Sequence, residues 1–277
     1  MPASEPADGR TVSGGSVHRS ARRLTAAGGE MVDEVVAEEM AVALVYNGVS
    51  HAVMMATPCD LEDLARGFSL TEGIIERPSE IYGIEVEPAG AGLEVRLEIA
   101  AQRMAYLRER RRSLAGRTGC GLCGVDSIDA AMRPVAKLPA AGRVSRRAVE
   151  RAMAALPAEQ HINEMNGAMH AAGWARADGS VAAVREDVGR HNALDKVGGA
   201  MMAQGWPIEA GGFVVVTSRC SYEMVHKAAV LGALAIAAVS APTSLAIATA
   251  EQAGIVLAAF VRDGRLTLYA NADRVSS

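Results

Sequence analysis

The stretch GGFVVVTSRCSYEMVHKAAVLGALAIAAVS, residues 211–240, determines the fold class of this chain. Within it, Phe213 to Val216 and Leu234 to Val239 are short apolar runs bounded by glycine or polar residues, a pattern typical of strands buried on both faces. The residues between them lead into a helix that runs through Val230. Strands that alternate with helices indicate a sheet with parallel pairs, whose ligands bind beyond the carboxyl ends of the strands.

Both flanks of this stretch continue the alternation. Upstream, Asp178-Gly179 lies between two apolar runs and predicts a hairpin, and a helix follows Asp187. Downstream, a helix opens at Pro242 and closes at Gly254, in keeping with proline near the first turn and glycine past the last. Ile255 to Val261 is then a third buried strand. The second half is therefore predicted to be a mixed sheet with flanking helices.

The first half is predicted to be a smaller α+β region. Asn47-Gly48 between two apolar runs is a strong hairpin signal. A helix begins after Asp60, a good N-cap, and Leu93 to Ile99 alternates as a half-solvated strand does. We predict two subdomains in four segments: a disordered leader at 1–29, an N-terminal α+β subdomain at 30–116, a thiol loop with a connector at 117–147, and a C-terminal α/β subdomain at 148–277.

The composition excludes several classes of protein. The chain has 277 residues, of which 50% are hydrophobic and 22% charged, as in ordinary globular proteins. A net charge of −4 gives no basic excess for general nucleic-acid binding, and the longest apolar run, Ala228 to Val239, is too short to span a bilayer. Four cysteines are too few for a disulfide scaffold, so we expect reduced thiols in the cytoplasm.

Two thiols, Cys120 and Cys123, lie in the glycine-rich stretch GCGLCG at 119–124, which several arginines precede. Nearby guanidinium charge and a second thiol lower the pKa of a cysteine and make it a nucleophile near neutral pH. The residues alone leave three interpretations open. A zinc site needs further ligands at metal spacing, which the sequence lacks. A thioredoxin-type site needs a helix start, which the glycines oppose. A mobile thiol that carries sulfur agrees best with the loop and its arginines.

Two junctions that lead into helices carry residues suited to an anion. They are Arg190, His191, Asn192 and Lys196 at the first junction, and Ser218 and Arg219 at the second. A helix N-terminus offers free N–H groups and positive potential, so such side chains can complete a phosphate site. The alternative is that Ser218, Ser221 and Asn192 cap helices. His191 fits a general base or a phosphate ligand, and equally a donor to backbone.

Other candidate residues receive structural interpretations. The loop from Arg262 to Arg265 by itself predicts only a hairpin turn. The remaining isolated cysteines and histidines are interpreted as structural: Cys59, Cys220, His51, His161, His170 and His226.

Three long motifs occur in a fixed order along the chain. They are RTGCGLCG at 117–124, VREDVGRHNALDK at 184–196 and TSRCSYEMV at 217–225, supported by MATPCDLE at 55–62 and SAPTS at 240–244. With these motifs the chain closely resembles the FdhD family, the formate dehydrogenase accessory sulfurtransferases, from about Val35 to Tyr269.

This resemblance implies a fold and a function. Family members take persulfide sulfur from a cysteine desulfurase and pass it to the molybdenum or tungsten bis-guanine-dinucleotide pterin cofactor of formate dehydrogenase. They form homodimers and are similar in fold to cytidine deaminases. The matching residues are Cys120 as persulfide carrier, Cys123 as its supporting thiol, and a cofactor contact formed by Phe260, Val261, Arg262, Asp263, Gly264 and Arg265. GDP is an analogue of the nucleotide part.

Two rivals come from other classes of protein. A non-catalytic chaperone would bind the cofactor and the apoenzyme with its thiols incidental. A zinc deaminase, suggested by the related fold, needs a metal cluster that the sequence lacks, so no metal ligand is assigned. One departure from the family's pattern is the turn from Met165 to Gly167, where relatives usually have Thr-Gly-Gly. This chain lacks that threonine hydroxyl and one of the glycines, so no ligand contact is assigned to the turn.

Overall fold

The structure, a computed structural model, describes residues 11–12, 14–115, 137–138, 142–205, 207–208 and 211–277. The elements of the first half are β1 (Thr11–Val12), β2 (Ser16–Thr25), β3 (Gly28–Ala37), β4 (Met40–Tyr46), β5 (Val49–Ala56), α1 (Leu61–Thr71), β6 (Ile81–Ala89), β7 (Gly92–Ile99) and α2 (Ala101–Ala115). Those of the second half are β8 (Val144–Ser145), α3 (Arg146–Ala155), α4 (His161–Asn166), β9 (His170–Ala175), β10 (Val181–Asp187), α5 (Arg190–Gln204), β11 (Phe213–Val216), α6 (Tyr222–Val230), β12 (Ala235–Ala238), α7 (Ser244–Ala253), β13 (Val256–Arg262), β14 (Arg265–Ala270) and β15 (Val275–Ser276).

A six-stranded mixed sheet in the order β10-β9-β11-β12-β13-β14 forms the centre of the second half. Strands β11, β12 and β13 are parallel, and antiparallel strands extend the sheet on both sides. All residues of β11 and β12 are buried, because α3 packs on one face and α5, α6 and α7 pack on the other. The predicted mixed sheet with flanking helices is confirmed, while the likeness to cytidine deaminases stays a prediction.

A four-stranded sheet in the order β5-β4-β7-β6 forms most of the first half. The predicted hairpin joins β4 and β5 through Asn47 and Gly48, whose φ angles of 45° and 77° match the left-handed pair that a two-residue hairpin turn favours. Val42, Leu44 and Leu97 point inward from this sheet and are buried. Their alternation with outward residues explains why this region reads as strands.

Helices α1 and α5 join the two sheets through a close backbone contact. A methyl group on Gly67 of α1 would overlap the carbonyl oxygen of Asp195 and would lie 2.9 Å from the amide nitrogen of Gly199. A methyl group on Gly199 would overlap the carbonyl oxygen of Asp63. Because neither glycine has a side chain, the backbones of α1 and α5 are in direct contact where the helices cross. One apolar core therefore runs from the four-stranded sheet through both helices to the six-stranded sheet.

Residues 16–29 differ from the prediction. Strands β2 and β3 pair antiparallel along their whole length, from Ser16 with Ala37 to Thr25 with Gly28. The disordered leader predicted at 1–29 is therefore wrong for this part of the chain. The signal was missed because most side chains of both strands are polar or exposed, so no apolar alternation marks a buried face.

The predicted cap at Asp60 and the predicted loop at 117–147 have different outcomes. Asp60 precedes α1 but has a φ of 50° and makes no side-chain cap hydrogen bond, so its predicted capping role is wrong. Most of the thiol loop and connector at 117–147 lies outside the described residues, and the subdomain boundaries stay a prediction. In the part of the chain that the structure describes, no helix is long and apolar enough to cross a membrane.

Candidate functional site

Four strands of the six-stranded sheet point their carboxyl ends to the same side, which we call the carboxyl edge. The residues at this edge are Asp187 of β10, Val216 of β11, Ala238 of β12 and Phe260 near the end of β13. The junctions at 187–192 and 217–221 leave the sheet here and enter α5 and α6. This is the position at which open sheets with parallel strands bind ligands, so the structure brings both predicted junctions together.

The first turns of α5 and α6 are not capped by side chains. Neither helix has a side-chain hydrogen bond to its first turn within the described residues. The hydroxyl of Ser218 instead donates to the carbonyl oxygen of Arg219 at 2.9 Å. The capping alternative is therefore wrong for Ser218 and Ser221, and the backbone N–H groups at both helix starts keep their positive potential for an anion.

Asn192 has a supporting position inside α5. Its amide nitrogen donates to the carbonyl oxygen of Met55 at 2.9 Å and to the carboxylate of Asp187 at 3.0 Å. Since the side chain is mostly buried, these bonds fasten the start of α5 to the end of β5. Capping is wrong for Asn192 as well, and its amide has no donor pointing toward a ligand.

Positive charge gathers where α5 begins. Among the described residues, the buried Nε of Arg190 has no hydrogen-bond partner. His191 Nε2 lies 2.9 Å from the carboxylate of Glu223 and 3.4 Å from the hydroxyl of Ser221. The hydrogen bond from His191 lowers the pKa of Glu223. Burial and then the charges of Arg190 and His191 lower the pKa of His170. A guanidinium donor without a partner is costly to bury, so this corner is suited to an anion.

Lys196 lies beneath the junction and not on its surface. Its ammonium is 2.7 Å from the Asp187 carboxylate, and both side chains are fully buried. The same ammonium donates to the carbonyl oxygen of Thr57 at 3.1 Å. Thr57 also donates its N–H to Asp187, and its hydroxyl accepts the N–H of Val188 at 3.1 Å. Lys196 therefore supports the junction from the core, where no ligand can reach it directly.

Two ion pairs one helical turn apart connect α5 to α6. The outer pair is His191 with Glu223, and the inner pair is Asp195 with Lys227 at 2.7 Å. The inner pair is buried, and Lys227 also donates to the hydroxyl of Thr71 in α1 at 3.0 Å. Burial raises the pKa of Asp195, although the Lys227 ammonium opposes that rise. These contacts fix the two helix starts relative to each other and to α1.

The segment 260–265 contributes one side chain to the carboxyl edge. Phe260 lies in a bulge with a φ of 53°, and its ring side chain is 38% exposed. Val261 points into the core and is buried. Arg262, Asp263, Gly264 and Arg265 are exposed around the turn between β13 and β14. The hairpin turn is confirmed, and the cofactor contact implied for this segment stays a prediction. Arg219 is also exposed at the carboxyl edge.

The cysteines differ in what the structure shows. Cys120 and Cys123 lie outside the described residues. Cys220 is buried, which raises the pKa of its thiol to about 12 and confirms its structural interpretation. Cys59 is half-buried, 3.8 Å from the Lys196 ammonium, and burial raises its pKa as well. Among the described residues, no group of three or more His, Cys, Asp or Glu could hold a metal ion.

Two residues of the site, His170 and Thr57, were not assigned to it by the sequence interpretation. His170 was assigned a structural role, yet it pairs with Asp187 in the β9–β10 ladder and so reaches the carboxyl edge. The hairpin register at Asp178-Gly179 is the signal that could have found it. Thr57 gives no such signal, because its contact with Asp187 joins distant parts of the chain.

The altered turn at 165–167 has a structural role. Gly167 ends α4 with a φ of 69°, and the Asn166 amide donates to the hydroxyl of Ser16 at 2.9 Å. The turn therefore anchors the base of the β2–β3 hairpin.

Comparisons with known proteins agree with the motifs and the fold. A model of the FdhD/NarQ family matches residues 37–276. The sulfur carrier protein FdhD of Cupriavidus necator is 55% identical over 240 residues, which cover 87% of this chain and 83% of that protein. The protein of the same name from Xanthomonas axonopodis pv. citri is 49% identical over 266 residues, which cover 96% of this chain and 94% of that protein.

A solved structure has the same fold. It is a putative formate dehydrogenase accessory protein from Desulfotalea psychrophila, with a TM-score of 0.72, 23% sequence identity, and coverage of 95% of this chain and 100% of that one. From the family model and the identity to curated relatives, the chain belongs to the FdhD/NarQ family.

Proposed function

We propose that the protein is a sulfurtransferase that accepts persulfide sulfur from a cysteine desulfurase on Cys120. It then delivers the sulfur to the molybdenum or tungsten bis-guanine-dinucleotide pterin cofactor, which is its substrate, for use by formate dehydrogenase. Family membership, the motif at 117–124 and the name sulfur carrier protein given to relatives support this role. The reaction takes place in the cytoplasm, because free thiols need a reducing compartment.

The observation that carries the cofactor part of this proposal is the buried Nε of Arg190, which has no hydrogen-bond partner within the residues that the structure describes. It lies at the start of α5, next to His191 and across the carboxyl edge from Arg219 and Phe260. A pyrophosphate group would supply the missing acceptor, and helix N-termini favour such anions. Phe260 offers an exposed ring on which a purine base can stack.

Transfer of the persulfide sulfur to Cys120 needs no oxidant beyond the desulfurase persulfide itself. The Cys120 thiolate attacks the terminal sulfur of the desulfurase persulfide. A new S–S bond forms at Cys120, the S–S bond on the desulfurase breaks, and the desulfurase cysteine leaves as its thiolate. The arginines before the loop favour the thiolate form of Cys120.

Release of the sulfur then has two routes. In one, the Cys123 thiolate attacks the inner sulfur of the Cys120 persulfide, a disulfide forms and hydrosulfide leaves for the metal of the substrate. In the other, an external thiol reductant takes the place of Cys123. Both routes preserve the electron balance, because the sulfane sulfur is reduced as two thiols are oxidised.

Mass spectrometry tests the carrier role. The wild-type protein incubated with a cysteine desulfurase and cysteine is expected to gain one sulfur on Cys120. Cys120→Ala should abolish the adduct, whereas Cys59→Ala, which removes a half-buried thiol, should leave it unchanged. Full activation of formate dehydrogenase by a Cys120→Ala, Cys123→Ala variant would instead identify the protein as a chaperone with incidental thiols.

Calorimetry with GDP tests the cofactor site. Arg190→Met and Arg219→Ala should each weaken GDP binding by about tenfold to a hundredfold, because a charge-assisted hydrogen bond contributes about 1.5–3 kcal/mol. Arg151→Ala is the control, since Arg151 is an exposed arginine of α3, on the opposite face of the sheet from α5. Equal GDP affinity in all three variants would show that the nucleotide binds elsewhere than at the carboxyl edge.

The proposal also includes formate dehydrogenase as the partner enzyme and a homodimer as the state of this protein.

A further inference from the structure

The carboxylate of Asp187 lies beneath the start of α5, the helix end that the proposed function assigns to the phosphate groups of the substrate. It is fully buried, accepts the N–H of Gly189 at 2.8 Å and accepts the side-chain amide of Asn192 at 3.0 Å. Gly189 directly precedes α5, and Asn192 belongs to its first turn. A buried negative charge at this point repels any anion that approaches the helix start. The site therefore contains a charge that opposes its proposed ligand.

The ammonium of Lys196 supplies the countercharge. It lies 2.7 Å from the Asp187 carboxylate, and both side chains are fully buried. It also donates to the carbonyl oxygens of Thr57 at 3.1 Å and of Glu186 at 3.4 Å. These three oxygen acceptors match the three donors of an ammonium group, so no donor remains for a ligand. Lys196 can therefore act on a bound anion only through its charge.

The charges of this buried pair act on groups that lie nearer to the surface. Burial raises the pKa of the half-buried Cys59, the Lys196 ammonium opposes that rise, and the Asp187 carboxylate adds to it. Burial also lowers the pKa of His170 at the carboxyl edge, and the Asp187 carboxylate opposes that fall. Because the two charges act in opposite senses, the field of the intact pair is weak at the carboxyl edge. Loss of one member would expose the ligand to the full field of the other.

We propose that Lys196 is a positioning residue for the dinucleotide substrate. It cancels the charge of Asp187 and so allows the start of α5 to bind phosphate groups, although Lys196 itself makes no contact with them. The inference rests on the proposed function and adds a residue to the same site. The direct contacts come from Arg190 and from the N–H groups of the first turn, which have no acceptor inside the helix. With the buried pair neutral, their positive potential is left for the ligand.

The charge of Asp187 can be removed while most of its hydrogen bonds stay in place. Its Oδ1 atom accepts the bonds from Gly189 and Asn192 that shape the start of α5. Its Oδ2 atom faces the Lys196 ammonium and the N–H of Thr57. Asparagine has the same shape, keeps one acceptor oxygen for the two bonds at Oδ1 and replaces the other oxygen with an amide nitrogen. Asp187→Asn therefore separates the charge of this residue from its role in the junction.

Calorimetry with GDP and with guanosine tests the role of Lys196. Lys196→Met should weaken GDP binding by about tenfold to a hundredfold, because an uncompensated charge one or two helical turns away repels a phosphate group to about this extent. Guanosine has no phosphate, so its affinity should change by less than about threefold. Asp187→Asn should bind GDP at least as tightly as the wild type. The double variant, which lacks both charges, should return to within about threefold of the wild type.

Arg151→Met is the matched control for the loss of one positive charge. Arg151 belongs to α3 on the opposite face of the six-stranded sheet, so this variant should bind GDP as the wild type does. Unchanged GDP affinity in Lys196→Met would overturn the proposal. Equal losses of GDP and guanosine affinity would overturn it as well, because they indicate a purely structural role. A double variant that does not recover would mean that Lys196 contacts the ligand directly, which also contradicts the proposal.

Two further comparisons keep the test decisive. If Lys196→Met does not fold, Asp187→Asn decides alone, and weaker binding of GDP without weaker binding of guanosine overturns the proposal. If Arg190→Met weakens GDP binding and Lys196→Met does not, the proposed function stands and this inference fails. A wild type that binds no GDP overturns both.

Discussion

His170 is the residue at which the electrostatics of the carboxyl edge can be measured. It is half-buried, and burial together with the charges of Arg190 and His191 lowers its pKa from the usual value of 6.5. A lowered folded-state pKa means that the unfolded chain binds the proton more tightly. The stability contributed by His170 is therefore present above about pH 6.5 and is lost as the pH falls through the folded-state pKa.

Binding of an anion at the carboxyl edge should raise the lowered pKa of His170. A phosphate-bearing ligand beside Arg190 and His191 offsets the charges that keep His170 neutral, so we expect binding of GDP to raise the pKa of His170 and to take up a fraction of a proton. Affinity should increase as the pH falls from about 7.5 to about 6. Calorimetry in buffers of different ionisation enthalpy measures the proton uptake. His170→Gln should abolish it, and persistent uptake in this variant would exclude His170 as the proton acceptor.

Gly67 allows a second prediction at the residue scale. Gly67→Ala places a methyl group on the carbonyl of Asp195, so α1 and α5 must separate or the backbone must distort. We expect a loss of about 2 kcal/mol or more in the free energy of unfolding, measured by urea denaturation. Gly83→Ala is the control, because a methyl group there meets no atom within 4 Å and should cost well under 1 kcal/mol. Similar losses in both variants would contradict the close crossing.

At the scale of elements, α5 and α6 are held by two pairs with very different surroundings. Asp195 and Lys227 are buried, whereas the side chain of Glu223 in the outer pair is 60% exposed. A buried charge that loses its partner keeps its full desolvation cost, and an exposed one is solvated again by water. The inner pair should therefore dominate the stability of the α5–α6 contact.

Substitutions four residues apart on α6 compare the two pairs directly. Lys227→Met should lower the free energy of unfolding by about 3–5 kcal/mol at pH 7, because it leaves Asp195 buried without its ammonium. Glu223→Gln should lower it by about 0.5 kcal/mol or less. The small Glu223 effect should be lost as the pH falls from 4.5 through the folded-state pKa, since the hydrogen bond from His191 lowers the pKa of Glu223 and that stabilisation disappears on protonation. Equal losses at pH 7 would show that burial does not separate the two pairs.

The elements also show how far the sequence predicts this fold. Strands β11 and β12 were predictable because continuous apolar runs bounded by polar residues have few alternatives. The hairpin of β2 and β3 was not, because β2 alternates neither in hydrophobicity nor in burial. At the site, residues 190 and 219 were found from helix-start chemistry. The position of Lys196 was not, because its burial depends on Thr57, a contact that spans 139 residues and leaves no local pattern.

At the scale of the whole molecule, the two predicted subdomains share one core. Buried residues from the four-stranded sheet, from α1 and from the six-stranded sheet belong to a single apolar cluster. The polar groups of Thr57 add hydrogen bonds from the end of β5 to Asp187, Val188 and Lys196. Because the core of the four-stranded sheet is continuous through α1 with α5 and the six-stranded sheet, the halves are expected to unfold together.

Hydrogen exchange tests this cooperativity. In increasing urea, the amides of β4 and β12 should lose protection at the same midpoint, although they belong to different sheets. Gly67→Ala should lower both midpoints together. Earlier loss of protection in β4 alone would mean that the four-stranded sheet opens as a separate unit.

The close contact of Gly67 and Gly199 also offers a tool for experiments in living cells. A loss of 2 kcal/mol in a domain of this size lowers the melting temperature by roughly 4–8 °C. Because Gly199 lies inside α5 against the backbone of Asp63 and carries no reactive group, Gly199→Ala lowers stability without removing any proposed reactive side chain. It is therefore a natural choice for a temperature-conditional allele, with which the protein's role could be switched off by warming a growing culture.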